Sequence, residues 1–127
     1  MMGVMAKRVL IVDDEPYILK ILAYKLRREG YTAFEAESAE DAWEIIRGNR
    51  IDLVLLDVTL ATPTTGFDLA ARLREDDRTR DLPVVMLTAR TLADDVRRGH
   101  EVGAMGYITK PFSPAEVLET VRSLLGE

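Results

Sequence analysis

The stretch Ile51-Asp52-Leu53-Val54-Leu55-Leu56-Asp57 guides the interpretation of the whole chain, because it is the most apolar run and it ends in a carboxylate. A run of Leu, Val and Ile of this length before a turn is typical of a strand buried on both faces of a parallel sheet. A carboxylate that follows such a strand lies where the ends of several strands face a common crevice. The run therefore predicts a buried strand with a chemical site at its end.

Three further apolar runs also end in side chains that can do chemistry. These runs and the residues that follow them are Val9–Val12 with Asp13, Asp14 and Glu15, Val84–Leu87 with Thr88, and Met105–Thr109 with Lys110 and Pro111. The carboxyl ends of parallel strands meet at one edge of a sheet, so we expect acids, a hydroxyl and an amine to converge there. Pro111 fixes the backbone after Lys110 and allows a cis bond in a tight turn.

The bulk properties bound the class of protein. A chain of 127 residues suits one domain, and we expect a flexible N-terminal segment at residues 1–6 and a single domain at residues 7–127. No apolar stretch is long enough to cross a membrane, and no cysteine is available for a disulfide or a thiolate metal site. The net charge of −5 argues against direct binding to nucleic acid. These features predict a cytoplasmic globular protein without direct membrane or nucleic-acid contacts.

Helical patterns separate the strands, and most have their own start and stop signals. The predicted helices with both bounds are Pro16–Glu29, Gly66–Arg74 and Leu92–Val102. A further helix lies between the Ser38 cap and the stop at Gly48 and Asn49, and a last helix begins at the Ser113 cap. A short strand is predicted at Tyr31–Ala36, after the first helix. The side chains predicted to face the sheet are Ile18, Leu22 and Leu26, then Ala42, Ile45 and Ile46, then Leu69, Ala70 and Leu73, and finally Val117, Val121, Leu124 and Leu125.

This alternation predicts an α/β fold, a flavodoxin-like doubly wound (βα)5 unit. Its five-stranded parallel sheet has the order 2-1-3-4-5 with helices on both faces, which places the strands that end at Asp14 and Asp57 side by side. The helix Leu92–Val102 has a thin apolar face and contains Gly99, so we expect it to move.

The three acids Asp13, Asp14 and Asp57 would repel one another, and a hard divalent cation, best Mg²⁺, relieves that repulsion. A cap on the next helix is the alternative role for one of the first two. A carboxylate with a free oxygen beside such a cation can attack phosphorus. Lys110 and Thr88 lie at the strand ends that suit neutralising the transferred oxygens; the alternatives are a solvated lysine and a helix-capping threonine.

These motifs together resemble the receiver domain of two-component response regulators, of the chemotaxis-regulator type. The residues that carry the resemblance are Val9–Pro16, Asp57, Thr88 with Ala89, and Tyr107–Phe112, and the likeness covers essentially the whole chain.

The resemblance implies a function and a role for each of these positions. Asp57 would accept phosphoryl from a sensor histidine kinase or a histidine phosphotransfer protein. Asp14, Asp57 and the Val58 carbonyl would hold Mg²⁺, with Asp13 acting directly or through water.

Further roles come from the same resemblance. The Ala89 N–H would help to bind the phosphoryl group, and Thr88 would swing towards it. Tyr107 would act as the aromatic switch, with an ordinary strand tyrosine as the alternative. Thr59 and Arg90 occupy the two variable positions thought to tune dephosphorylation.

The chain departs from the family pattern beside the site. The loop Thr59–Gly66 is one residue longer, Ala61 replaces the usual Pro, and Pro63 follows two residues later. Met105 and Gly106 replace the paired acids of many DNA-binding regulators, which weakens the case for their dimer. A weak, reversible homodimer through the last two helices and the Tyr107 strand is an expectation by analogy alone.

Several hypotheses about the function of the chain and about what it controls stay open. We favour a switch that controls a downstream protein target or output domain, over a haloacid-dehalogenase-type phosphatase, whose second Asp is replaced by Thr59, and over a flavodoxin-like cofactor binder. A stand-alone receiver is the simplest organisation, and a fragment of a larger regulator is the runner-up. Outside the site, the arginine-rich segment Arg72–Asp81 is expected to be a solvated face held by salt bridges.

Overall fold

A computed structural model describes residues 6–60, 65–88, 97 and 103–126 of the chain. Five strands and four helices are defined within these ranges. In chain order they are β1 (Arg8–Val12), α1 (Pro16–Arg28), β2 (Thr32–Ala36), α2 (Ala39–Gly48), β3 (Leu53–Asp57), α3 (Gly66–Glu75), β4 (Val84–Thr88), β5 (Gly106–Thr109) and α4 (Pro114–Leu125).

The five strands form one parallel sheet in the order β2-β1-β3-β4-β5. The predicted fold class and strand order are therefore confirmed. In register, Val12 of β1 pairs with Leu56 of β3, and Asp57 pairs with Leu87 of β4. This register aligns the carboxyl ends of β1, β3 and β4, which is the edge where the sequence predicts a site.

Both faces of the sheet are covered, which explains why the central strands are apolar at every position. Alternate residues of β1, β3 and β4 pack on α1 and α4, and the intervening residues pack on α2 and α3. A strand that is buried on both faces has no position for a polar side chain until it ends. The first polar residue after each strand therefore marks the edge of the core.

The helices begin where the sequence indicates. The Ser38 hydroxyl accepts a hydrogen bond from Asp41 N–H, and the Ser113 hydroxyl accepts one from Glu116 N–H. A third cap was not predicted: Thr65 and Asp68 form a reciprocal capping box at the start of α3.

The inward-facing stripes differ in detail from the predicted ones. In α1 the buried residues are Leu19, Leu22, Ala23 and Leu26, whereas Ile18 is only partly buried; in α4 Leu118 is buried, and Leu124 and Leu125 are partly buried. The stripe of α1 is thus centred one position further along the helix than expected, because Ala23 packs against the sheet as well.

Several sequence predictions fall outside the described residues. These are most of the N-terminal segment, the loop positions 61–64, the backbone of Ala89, the side chain of Arg90, and the Leu92–Val102 helix apart from Arg97. Within the described residues, no helix is long and apolar enough to span a membrane.

Candidate functional site

Two fully enclosed carboxylates lie side by side at the carboxyl edge of the sheet. Asp13 follows β1 and is 0% exposed, and Asp57 ends β3 and is 2% exposed. With the partly buried Asp14 they form a cluster in which one carboxylate oxygen from each residue lies within 4.8 Å of the others. The structure thus brings together the three acids that the sequence predicts to converge.

Backbone donors fix the orientation of both buried carboxylates. Glu15 N–H donates to Asp13 Oδ1 with an N···O distance of 2.9 Å. Thr59 N–H donates to Asp57 Oδ1 at 3.1 Å, and the Thr59 hydroxyl donates to the same oxygen at 3.4 Å. Each carboxylate therefore keeps its other oxygen, Oδ2, for the interior of the site.

Lys110 provides the one positive charge that faces these oxygens among the described residues. Its Nζ lies 2.9 Å from Asp13 Oδ2, 3.5 Å from Asp57 Oδ2 and 3.7 Å from Glu15 Oε1, and its side chain is 17% exposed. Burial by itself lowers the pKa of Lys110, but the hydrogen bond to Asp13 and the surrounding carboxylates outweigh burial and raise it. The ammonium is therefore charged. The peptide bond between Lys110 and Pro111 is cis, as the sequence allows.

Negative charge remains in excess at this edge. The pKa of Asp57 is raised from its ordinary value to about 6, chiefly by burial; the charges of Asp13 and Asp14 contribute to the rise, and Thr59 N–H and Lys110 oppose it. A single ammonium cannot neutralise three clustered carboxylates. The site therefore has a preference for one more positive charge.

Thr88 lies on β4, the strand next to Asp57, and Tyr107 lies on β5, one strand further. Thr88 is buried at the end of β4, one residue beyond Leu87, the register partner of Asp57. Tyr107 pairs in register with Met86 and packs, partly buried, on the α2 and α3 face. The Lys110 N–H donates to the Thr88 carbonyl at 2.6 Å. The hydroxyl, the ring and the ammonium thus occupy adjacent strands, as the sequence predicts.

Gly66 is part of the site, although the sequence reasoning gave it no role beyond its spacing. A Cβ atom at Gly66 would lie only 2.1 Å from the Asp57 carbonyl oxygen, so no other residue fits there without a backbone shift. Its N–H donates to the Val58 carbonyl at 3.2 Å. The start of α3 is thereby pressed against the backbone of the central aspartate. That same Val58 carbonyl keeps a second lone pair, and its predicted role as a metal ligand stays a prediction.

The donor set at this edge suits a hard cation. Three carboxylates contribute oxygen atoms that lie within 4.8 Å of one another. Oxygen-only ligand sets of this kind favour Mg²⁺ or Ca²⁺ over Zn²⁺ and other soft metals. The residues present therefore fit the predicted metal.

A largely apolar groove opens beside the ammonium. It has a volume of about 540 Å³ and lies between α1 and the segment that joins β5 to α4. Its lining residues are Glu15, Tyr17, Ile18, Ile21, Leu22, Lys110, Pro111, Phe112 and Pro114. Tyr17 and Tyr24, both on α1, are 70% and 63% exposed. Exposed aromatic rings next to a reactive site are typical of a contact surface for another molecule.

Known proteins match this chain over nearly its whole length. Residues 9–122 match the family model for the response regulator receiver domain. The chain is 44% identical over 119 residues to the phosphate regulon transcriptional regulatory protein PhoB of Pseudomonas aeruginosa, covering 94% of this chain and 52% of that protein. It is 40% identical over 121 residues to PhoB of Escherichia coli, covering 95% and 52%.

Solved structures match with the same fold. The Vibrio cholerae chemotaxis protein CheY4 superposes with a TM-score of 0.89 at 29% identity, covering 94% of this chain and 98% of that one. The Thermotoga maritima response regulator DrrB, an OmpR/PhoB homologue, has a TM-score of 0.86 at 29% identity, covering 96% and 54%. The chain thus spans about half the length of the curated relatives and nearly all of the chemotaxis protein.

Proposed function

Since the chain belongs to the response regulator receiver domain family, we propose that Asp57 accepts a phosphoryl group and that the domain works as a phosphorylation-dependent switch. The observation that carries this proposal is the enclosed Asp57 carboxylate, whose Oδ2 faces the Lys110 ammonium at 3.5 Å. This oxygen is a nucleophile that lies next to an ammonium able to pair with an anion.

The chain's own groups have distinct parts in the transfer. Asp57 Oδ2 forms a bond to phosphorus while the bond from phosphorus to the donor's imidazole nitrogen breaks, and the released imidazole retains the electron pair and takes a proton from solvent. Thr59 holds the other oxygen of Asp57 and so fixes the angle of attack. Lys110 then pairs with the phosphoryl oxygens, and the Thr88 hydroxyl donates to one of them.

The proposed cofactor is Mg²⁺, held by Asp13, Asp14 and Asp57 together with the Val58 carbonyl. When bound, the cation supplies positive charge to the carboxylates and to the transferred oxygens. Without the cation the same carboxylates would repel an incoming phosphate group, because one ammonium cannot neutralise three carboxylates. The fit of these oxygens to a hard cation supports this assignment.

Phosphorylation would change the face that carries Tyr107. Movement of the buried Thr88 hydroxyl towards the phosphoryl group vacates space beside β5, which the Tyr107 ring then enters. The acyl phosphate is lost by hydrolysis at a rate that Thr59 and Arg90 tune. The domain is thus a signalling module that acts on a partner. The one reaction that it catalyses besides its own phosphorylation is its own dephosphorylation, and it turns over no external substrate.

The donor is proposed to be a histidine-bearing protein, either a sensor histidine kinase or a phosphotransfer protein, seated in the groove along α1. The groove is continuous with the site, since Lys110 and Glu15 line both. Exposed Tyr17 and Tyr24 offer aromatic contacts, and Lys20 and Lys25 on the same helix offer positive charge to an acidic partner surface.

A direct test uses beryllofluoride or acetyl phosphate with Mg²⁺, followed by NMR or mass spectrometry. The parent protein should form one adduct at Asp57, and Asp57→Asn should form none. Asp52→Asn is the matched control, because Asp52 lies just before the same strand at the opposite edge of the sheet. Equal labelling of Asp57→Asn and the parent would overturn the proposal.

A second candidate function places this domain in a longer protein. The PhoB relatives are named as transcriptional regulatory proteins, and this chain covers 52% of their length. We propose on this ground that the domain controls a DNA-binding output region in a longer chain. The reading frame downstream of the codon for Glu127 tests this directly: an open frame of comparable length supports it, and a stop codon contradicts it.

A further inference from the structure

Arg74, near the end of α3, donates hydrogen bonds to four backbone carbonyls at the opposite edge of the sheet from the acidic cluster. Its Nη1 donates to the carbonyls of Thr79 at 3.4 Å, Arg80 at 3.0 Å and Leu82 at 2.9 Å. Its Nη2 donates to the Gly103 carbonyl at 3.0 Å. A planar guanidinium presents five N–H donors in a fixed geometry, whereas an ammonium presents three on one rotating nitrogen. One side chain therefore joins two separate segments of the chain.

Gly103 packs closely against the Arg74 side chain. It has a φ of +74°, and a Cβ atom there would lie 2.8 Å from Arg74 Nε. The other positive-φ glycines in the described ranges are Gly30 and Gly126, and a Cβ atom at either would meet nothing within 4 Å. The close fit to a side chain thus distinguishes Gly103 from them, so the contact is more than a consequence of a turn.

The two segments joined by Arg74 are the entrances to β4 and β5. Leu82 precedes β4, and Gly103 precedes β5 by three residues. A backbone hydrogen bond from Met105 N–H to the Val84 carbonyl, 2.8 Å long, continues the same connection. The opposite ends of these strands carry the hydroxyl and the ammonium of the site, and Tyr107 is the second residue of β5, two residues after Met105. Arg74 is therefore placed to fix one end of the strands whose other ends respond to phosphorylation.

We propose that Arg74 is a positioning residue for the phosphorylation switch: it anchors the segment that enters β5 to α3, so that the Tyr107 ring changes position while the backbone just before it, at Gly103 and Met105, stays fixed. A switch needs a fixed reference against which its mobile part is displaced. Without the anchor the segment that enters β5 would move as well, and the change at Tyr107 would extend back to Met105. The inference rests on the proposed function, because it concerns the response to phosphorylation.

The first experiment examines the anchor by amide hydrogen exchange in the unphosphorylated protein. In Arg74→Met, the Met105 amide should exchange roughly tenfold faster than in the parent, because the segment that presents it is no longer fixed. The increase should exceed that of the β3 amides at least about threefold. Arg74→Lys should give an intermediate increase, since one ammonium cannot satisfy all four carbonyls.

A glycine pair separates the contact from backbone strain. Gly103→Ala and Gly30→Ala both place an alanine at positive φ, and only the first displaces Arg74. The Met105 amide should accelerate in Gly103→Ala and stay within about twofold of the parent in Gly30→Ala. The double variant Arg74→Met with Gly103→Ala should match the faster single variant within about twofold, because both break the same contact.

The second experiment adds beryllofluoride and Mg²⁺. In the parent, the Thr59 and Tyr107 amides should respond while Met105 exchange changes by less than about twofold; in Arg74→Met, Met105 exchange should change by about fivefold or more. An equally large Met105 response in the parent would overturn the anchor alone, and so would an Arg74→Met variant that accelerates all amides equally. A parent whose Thr59 amide ignores beryllofluoride would contradict the proposed function, and with it the switch role of Arg74.

Discussion

The two edges of the sheet differ in how they accommodate charge. At the carboxyl edge, Asp13 and Asp57 are enclosed, one lysine faces three carboxylates, and the pKa of Asp57 is raised to about 6. At the amino edge, Asp52 pairs with Arg50 at 3.1 Å and accepts a hydrogen bond from Arg8 N–H at 2.7 Å.

This difference indicates that the amino edge stabilises the fold and that the carboxyl edge is the candidate site for chemistry. Unbalanced buried charge lowers stability, and it is kept where a ligand of opposite charge restores the balance. At the amino edge Asp52 is paired with Arg50, and Arg74 binds four backbone carbonyls, so we expect this edge to hold the strands in place while the other edge changes state. Substitutions at the two edges should therefore have opposite consequences.

The largest effect is expected for Gly66→Ala at the carboxyl edge. The new methyl group would lie 2.1 Å from the Asp57 carbonyl oxygen, so the start of α3 or the end of β3 must move. Such overpacking against backbone should lower the free energy of unfolding by about 3 kcal/mol. It should also weaken Mg²⁺ binding. Urea unfolding and a Mg²⁺ titration measure the two effects.

Gly48→Ala is the control for this variant. Gly48 is also helical, at the end of α2, and a Cβ atom there would meet nothing within 4 Å. Alanine at that position should leave stability unchanged or raise it by up to about 1 kcal/mol. If both alanine variants unfold at the same urea concentration, the close approach of α3 to Asp57 has no energetic importance.

Asp57→Asn should make the metal-free protein more stable. The folded-state pKa of Asp57 is raised to about 6, so the folded protein binds more protons than the unfolded chain between about pH 4 and pH 6. Its stability therefore falls as the pH rises through this window. At pH 7.5 the asparagine variant should be more stable by roughly 1 to 3 kcal/mol, and near pH 4 the two should converge. Urea unfolding across this pH range measures the difference.

The matched variant at the amino edge is Asp52→Asn, which removes a paired charge and should be neutral or lower stability by up to about 1 kcal/mol. Added Mg²⁺ should stabilise the parent more than Asp57→Asn, because only the folded parent binds it well. If Asp57→Asn is no more stable than the parent at pH 7.5 without metal, the charge at this edge is balanced by other means and the comparison of the edges fails.

Much of this comparison could be made from sequence, since strand ends are local features. The apolar runs before Asp13, Asp57 and Thr88 predicted the carboxyl edge, and the alternation of helices with strands predicted the order that brings them together. These signals are strong because a strand buried on both faces tolerates no polar residue until it leaves the core. The proposed chemistry of the site rests on that placement.

Contacts that depend on the path of a loop could not be predicted. The distance from Gly66 to Asp57 is set by how the connection after β3 returns to the sheet, although Thr65 and Asp68 did have the spacing of a capping box. The arginine-rich segment was expected to form surface salt bridges. That is right for Arg78, which pairs with Asp76, but wrong for Arg74, which binds carbonyls whose positions no charge pattern encodes.

Arg72 is a second exception in the same segment. Its guanidinium carbon lies 3.9 Å from the centre of the Trp43 ring, so it stacks on an aromatic side chain of α2 and no ion pair was needed to place it. Trp43 itself is partly buried against the core. Helix-to-helix contacts of this kind depend on the rotation of both helices, which residue spacing leaves open by about one position.

A smaller effect is expected for Thr79→Val at the amino edge. The buried Thr79 hydroxyl donates to the Leu73 carbonyl at the end of α3, with an O···O distance of 2.6 Å. Valine has nearly the same shape but leaves that carbonyl without its donor, which should cost about 1 kcal/mol of unfolding free energy. Mg²⁺ affinity should not change, because the two edges act separately. Urea unfolding with and without Mg²⁺ gives both quantities.

Thr120→Val is the matched control, since the exposed Thr120 hydroxyl donates to the Glu116 carbonyl one helical turn earlier at 3.1 Å. Water replaces that bond, so stability should change by less than about 0.5 kcal/mol. A Thr79→Val variant that also loses Mg²⁺ affinity would mean that the amino edge is coupled to the site at rest, and the separation of the two edges would have to be given up.

The smallest effect is expected for Asp77→Asn, which removes the exposed ion pair with Arg80. Both side chains are well solvated, so the pair gains little from attraction and loses side-chain entropy, and stability should change by less than about 0.5 kcal/mol. The change should shrink further in 1 M NaCl, where such pairs are screened. Urea unfolding at two salt concentrations measures it. A loss above 1 kcal/mol would show that the amino edge depends on its surface charges, and that the Arg74 carbonyl bonds alone do not explain its stability.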